Sequence, residues 1–93
     1  MFASTKQARA LLKLAFKAAK ANLPSHTYSE KTTKRDPNRR SVVFPISPAL
    51  ADEVIHQARD LFKEAGFTKS VPKLYTCCYF THNTYIRVIA YKD

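Results

Sequence analysis

Residues 41–66 read SVVFPISPALADEVIHQARDLFKEAG. The first six are rich in β-branched and aromatic side chains, which suits a strand. Ser47 followed by Pro48 then marks a helix start: a capping residue, and after it a ring whose fixed φ fits the first turn. From there Leu50, Val54, Ala58, Leu61 and Ala65 recur at helical spacing, widened into a stripe by Ile55 and Phe62. Asp52 and Glu53 lie toward the positive end of the helix dipole. Gly66, the single glycine of the chain, stands where a left-handed residue ends a helix. A strand passing directly into a helix with one apolar face implies mixed packing, the helix against a sheet. Pro45 cannot donate a ladder hydrogen bond, so this strand is expected at a sheet edge or to end there.

Downstream, Pro72 precedes two strand-like runs, Leu74 to Phe80 and Tyr85 to Tyr91, around the tip Thr81-His82-Asn83-Thr84. Upstream, residues 25–46 read as two extended runs around Asp36-Pro37-Asn38-Arg39, which has Pro and Asn where a type I turn favours them. The run from His26 to Lys34 offers only Tyr28 as a large apolar group, so strand and loop both remain open for it. At the N-terminus Ser4 and Gln7 form a capping box, and the helix they start is expected from about Thr5 to Asn22, stopped by Pro24. The expected fold is α+β. Residues 1–93 form one small basic domain, a two-layer sandwich in helix-hairpin-helix-hairpin order (αββαββ, or αβαββ if the first hairpin is irregular). An antiparallel sheet packs on two helices. On element order alone, the halves are a degenerate repeat.

Charge is distributed unevenly over this frame. The formal net charge is +9; residues 1–40 carry ten Lys or Arg against two acids, residues 41–93 six against five. Lys6, Arg9, Lys13, Lys17 and Lys20 fall within an arc of about 80° on the first helix. The opposite side bears Leu11, Leu12, Ala15, Phe16, Ala19 and Leu23. Each like-charge pair in the stripe destabilises the isolated helix by about 0.2–0.5 kcal/mol, and no Glu relieves it. The pattern points to an anionic partner; a purely solvated lysine face is the alternative. Lys31, Lys34, Arg35, Arg39 and Arg40 surround the first hairpin tip. With the type I turn at 36–39, Arg35 and Arg40 are expected to face one another, an unfavourable pair that phosphate oxygens would relieve. The alternative is an edge guarded by charge.

In the last hairpin, pairing Phe80 with Tyr85 also sets Cys78 opposite Arg87, Thr76 opposite Ile89 and Leu74 opposite Tyr91. Tyr75, Cys77, Tyr79, Ile86, Val88 and Ala90 then form the core face. The other face presents Phe80, Tyr85, Arg87 and Tyr91, a platform on which unpaired bases could stack unless a helix covers it.

Several classes find no support. His26, His56 and His82 are scattered and with two cysteines match no metal-ligand spacing, so no metal or other cofactor is expected. Asp52 and Glu53 diverge on a helix, a Cys78–His82 nucleophile has little behind it, and one glycine cannot build a phosphate loop. Adjacent Cys77 and Cys78 suit a reducing compartment. No apolar run reaches membrane-span length and none resembles a secretory signal. The expected location is cytoplasmic, with mitochondrial import as the minor alternative because residues 1–24 are amphipathic and acid-free. The expected function is a small non-enzymatic nucleic-acid-binding protein, favouring RNA or single strands, which grips phosphates with the helix stripe and the basic hairpin. The alternative is a viral or phage-type inhibitor or adaptor that binds an acidic surface of a host protein or nucleoprotein.

Overall fold

Ser4 starts helix α1, Thr5–Ala18, as its sequence predicts: its hydroxyl accepts from the Gln7 amide at 3.1 Å and the Gln7 side chain accepts from the Ser4 amide at 2.9 Å. The structure, a computed structural model, describes residues 1–31, 35–76 and 84–93. After α1 come β1 (Tyr28–Lys31), β2 (Arg39–Ile46), helix α2 (Pro48–Glu64), β3 (Lys73–Thr76) and β4 (Thr84–Tyr91). Among the described residues, two helices with a four-stranded antiparallel sheet make the class α+β. No helix among the described residues is long and apolar enough to cross a membrane.

The sheet order is β1-β2-β4-β3. The strand expected at an edge, β2, is therefore central. Pro45 is accommodated because it lies past the last β1–β2 pair, Tyr28–Val43, where β2 has only β4 beside it. The pairing Phe44–Ile86 and Val42–Val88 lines up one buried face. Onto it α1 delivers Ala8, Leu12, Ala15 and Phe16, and α2 delivers Val54, Ile55, Ala58 and Phe62.

Both helices end alike. In α2, Ala65 is the cap and Gly66 adopts φ 84°; the Gly66 amide donates to Lys63 carbonyl and the Phe67 amide to Phe62 carbonyl, each at 3.0 Å. In α1, Ala19 is the cap and Lys20 takes the left-handed position at φ 55°, with the amides of Lys20 and Ala21 donating to Lys17 and Phe16 carbonyls at 3.0 and 2.9 Å. This paired bonding satisfies carbonyls that a helix end otherwise leaves bare. It also ends α1 four residues before Asn22 was to end it, ahead of Pro24, and takes Lys20 off the helical stripe. Leu23, expected on the apolar side, is consequently 53% exposed. The same interval separates Phe16 from Phe62, Lys17 from Lys63, Ala19 from Ala65 and Val42 from its partner Val88.

α2 departs from expectation at its margins. The Ser47 hydroxyl makes no capping bond, no acid lies in the first turn, and Leu50 and Ala65 are exposed. The buried stripe is instead Ala51, Val54, Ile55, Ala58 and Phe62, rotated toward the sheet and α1.

Both hairpin registers also differ from the sequence reading. Arg40 faces Lys31 rather than Arg35, although the 36–39 turn forms, with the Arg39 amide donating to Asp36 carbonyl at 3.2 Å and the Asn38 amide to Asp36 Oδ1 at 3.1 Å. In the last hairpin Leu74 pairs with Ile86 and Thr76 with Thr84, in place of Tyr91 and Ile89. This slip spans an odd number of places, so it exchanges the faces of β3: Leu74 packs against the core and Tyr75 leaves it. The expectations for Lys34, Cys77, Cys78, Tyr79, Phe80 and His82 lie outside the described residues.

Candidate nucleic-acid interface

Alternation along β4 sends Ile86, Val88 and Ala90 into the core and Tyr85, Arg87, Ile89 and Tyr91 to the opposite face. The same face receives Arg39, Ser41, Val43 and Pro45 from β2, Tyr28 and Glu30 from β1, and Lys73 and Tyr75 from β3. Tyr75 and Tyr85 are directly paired and their rings stack, with centroids 5.7 Å apart and an interplanar angle of 14°. The Arg87 guanidinium lies 5.7 Å from the Tyr75 ring centroid, and its Nε donates to Ser41 Oγ at 2.9 Å. Ser41 is fully buried beneath it. Arg87 is thus held over an aromatic ring, within cation–π range, by a bond to a buried hydroxyl. Tyr75 and Tyr28 are 40% and 45% exposed, large for rings of this size, and Lys73 is exposed beside them.

The far end of this face is occupied by the chain itself. Tyr91 meets the Phe2 ring edge-on at 4.8 Å. Its hydroxyl donates to the Asp36 carboxylate, which, with burial and the Asp36 charge, raises its pKa above the usual phenol value; nearby Arg39 opposes this. Arg40 turns its guanidinium to the carbonyl oxygens of Pro37 and Arg39.

The residues of the α1 stripe take different settings. Lys6, Lys13 and Lys17 are exposed, whereas Arg9 is half-buried and its Nη2 donates to Ser29 Oγ on β1 at 3.3 Å. Its Nε, like that of Arg39, is buried with no hydrogen-bond partner among the described residues. Lys20 and Lys31 are exposed, and Arg35 is exposed next to Asp36. Leu14 and Leu23, 51% and 53% exposed, line a shallow surface with Lys13 and Lys17. The basic helix and the tyrosine face are therefore separate surfaces, adjoining along β1 where Arg9 reaches Ser29.

Of the expected stacking residues, the structure brings Tyr85 and Arg87 together and commits Tyr91 to internal contacts. Sequence reasoning missed Tyr75, assigned to the core by the wrong register, and Tyr28, whose four-residue strand is too short to show an alternation. No family model, curated protein or solved structure matches the chain.

Proposed function

We propose that this chain is a non-enzymatic binder of single-stranded nucleic acid, RNA in particular. On this reading the two helices form one layer and the sheet a second, whose uncovered face receives unpaired bases. The observation that carries the reading is the Tyr75–Tyr85 stack with Arg87 laid over it. Aromatic rings on an open sheet accept bases of any identity, and a fixed guanidinium serves both base and phosphate. Lys73, paired with Arg87, flanks the platform, and Arg39 lies on the same face at its far end beside Tyr91. The molecule measures only 20 Å along its shortest axis. A strand leaving the platform past β1 would soon meet Arg9 and then the phosphate-binding positions Lys6, Lys13 and Lys17. Cytoplasmic residence belongs to the same reading and rests on the adjacent cysteines.

The second reading, an inhibitor or adaptor that docks on an acidic protein, draws on Leu14 and Leu23. Apolar side chains set among Lys13 and Lys17 suit a protein surface better than a phosphate backbone.

Anisotropy of labelled oligo(U) across a salt series tests the first reading. Neutralising about five phosphates gives a slope of log K against log salt of about −3.5. Tyr85→Ala should weaken binding by about 1–3 kcal/mol while costing at most about 1.5 kcal/mol of stability, the size of an aromatic pair. Phe44→Ala, in the core, should cost about 3–5 kcal/mol of stability. Equal stability losses in the two variants would remove the platform.

A further inference from the structure

At the end of the sheet where β1 begins and β2 stops, a groove of about 720 Å³ opens between the α1 terminus and the first turn of α2. Its aromatic walls are Tyr28 and Tyr85, and the buried core ring of Phe16 lies beneath. Ala21 sits at its base through the turn that Lys20 makes, and Leu50 closes the α2 side. Asn22, Ser25, His26, Ser47 and Thr84 supply polar groups to it. Charged residues make up 25% of the chain, yet among the described residues lining the groove there is no Lys, Arg, Asp or Glu. Ser47 is notable because its hydroxyl, at a helix start, makes no capping bond and remains free for another partner.

A groove lined without Lys, Arg, Asp or Glu, in a chain of net charge +9, suits the uncharged part of an anionic ligand. We infer that this groove takes one unpaired nucleobase from a strand lying on the tyrosine face, an inference that rests on the single-strand reading above. Two features commit the site to a base. Its accessible tyrosines, Tyr28 and Tyr85, both stand on the sheet side, so a flat heterocycle can lie against a ring face there. The amide of Asn22 and the hydroxyls of Ser47 and Thr84 can donate to and accept from a base edge. Tyr85 belongs to both surfaces: one ring stacks on Tyr75 and also lines the groove. A base that slips past Tyr85 therefore enters the groove while its neighbour stays on the platform. Lys20, exposed, precedes the lining residue Ala21 in the chain and would be the nearest cation in sequence to the phosphate of that nucleotide.

The test uses nuclear magnetic resonance titration of the full chain with adenosine 5′-monophosphate and with ribose 5-phosphate, alongside anisotropy with short oligo(U). Two variants fill the groove from exposed positions, Asn22→Trp and Leu50→Trp, so at least one is expected to keep the native melting temperature. Adenosine 5′-monophosphate should shift the amides of Asn22, Ser47 and Thr84. Ribose 5-phosphate, with the same phosphate and no base, should not. The filled variants should lose those shifts and bind oligo(U) about tenfold more weakly, while the Tyr75 and Tyr85 signals still respond to oligo(U). If oligo(U) binds the native and filled chains equally and the nucleotide leaves the groove amides unmoved, the groove inference falls and the platform reading stands. If neither oligo(U) nor the nucleotide binds the native chain, both fall together.

Discussion

Lys20 is the residue whose chemistry fits its conformation least. It holds φ 55°, a region in which an L side chain costs about 1–2 kcal/mol. The corresponding position after α2 is Gly66. Lys20→Gly should therefore stabilise the chain, by about 0.5–1 kcal/mol after the extra freedom glycine has when unfolded. Urea denaturation measures this directly, and a loss of stability would mean that the lysine side chain makes a contact worth more than the strain.

At the scale of elements, β3 decides which side chains form the platform. Among the described residues four pair it to β4, and Leu74 is its one anchor in the core. Leu74→Ala should cost about 2 kcal/mol of stability, less than a fully buried leucine would. Tyr75→Ala should cost about 1 kcal/mol of stability and, on the single-strand reading, about 1–3 kcal/mol of oligo(U) affinity. Comparing the two by thermal unfolding checks the register, because the register expected from sequence reverses their order. For α1 the measurable quantity is charge. Lys13→Gln with Lys17→Gln removes like-charge repulsion, so the fold should hold or gain a few tenths of a kcal/mol. The salt slope for oligo(U) should shrink by about 1.4 if both lysines meet phosphates. An unchanged slope would confine binding to the sheet face and hand α1 to a protein partner.

Across the whole molecule the two termini close on one another. Ser4 bridges to Tyr91, the Tyr91 amide donates to Ala3 carbonyl at 2.9 Å, and the Ala3 amide donates to the buried Ser70 hydroxyl at 2.8 Å. Asp93 completes the closure by accepting from the Lys6 amide at 3.0 Å and the Thr5 hydroxyl at 2.7 Å. These bonds, the Lys6 amide first, hold its carboxyl below the usual carboxylate pKa of 3.8. A depressed folded-state pKa stabilises the fold above the unfolded value and loses that contribution as pH falls through the folded one. Asp93→Asn should therefore lower the melting temperature at neutral pH and flatten its decline below pH 3.8, so that the two curves converge in acid. Curves that stay parallel to low pH would show that this carboxylate does not link the C-terminus to α1.

Features governed by neighbours a few residues away were readable in the chain: the start of α1, the span of α2 with Gly66 after it, the turn at Asp36, and the alternation of β4 that turns Tyr85 and Arg87 from the core. Each rests on a cap, a fixed φ or a period that acts locally. Register was not readable. It depends on which distant pairs bury most apolar surface, and among the described residues of β3 only Leu74 states a preference, so an odd slip that exchanges both its faces leaves no local trace. The central place of β2 escaped for the same reason: pairing with β4 overrode what Pro45 signalled. The early end of α1 is local, but it is made by a lysine in the left-handed position that Gly66 takes after α2, and a lysine does not announce that conformation. The Tyr75–Tyr85–Arg87 cluster and the uncharged groove beside it exist only because tertiary pairing brought β2, β3 and β4 side by side.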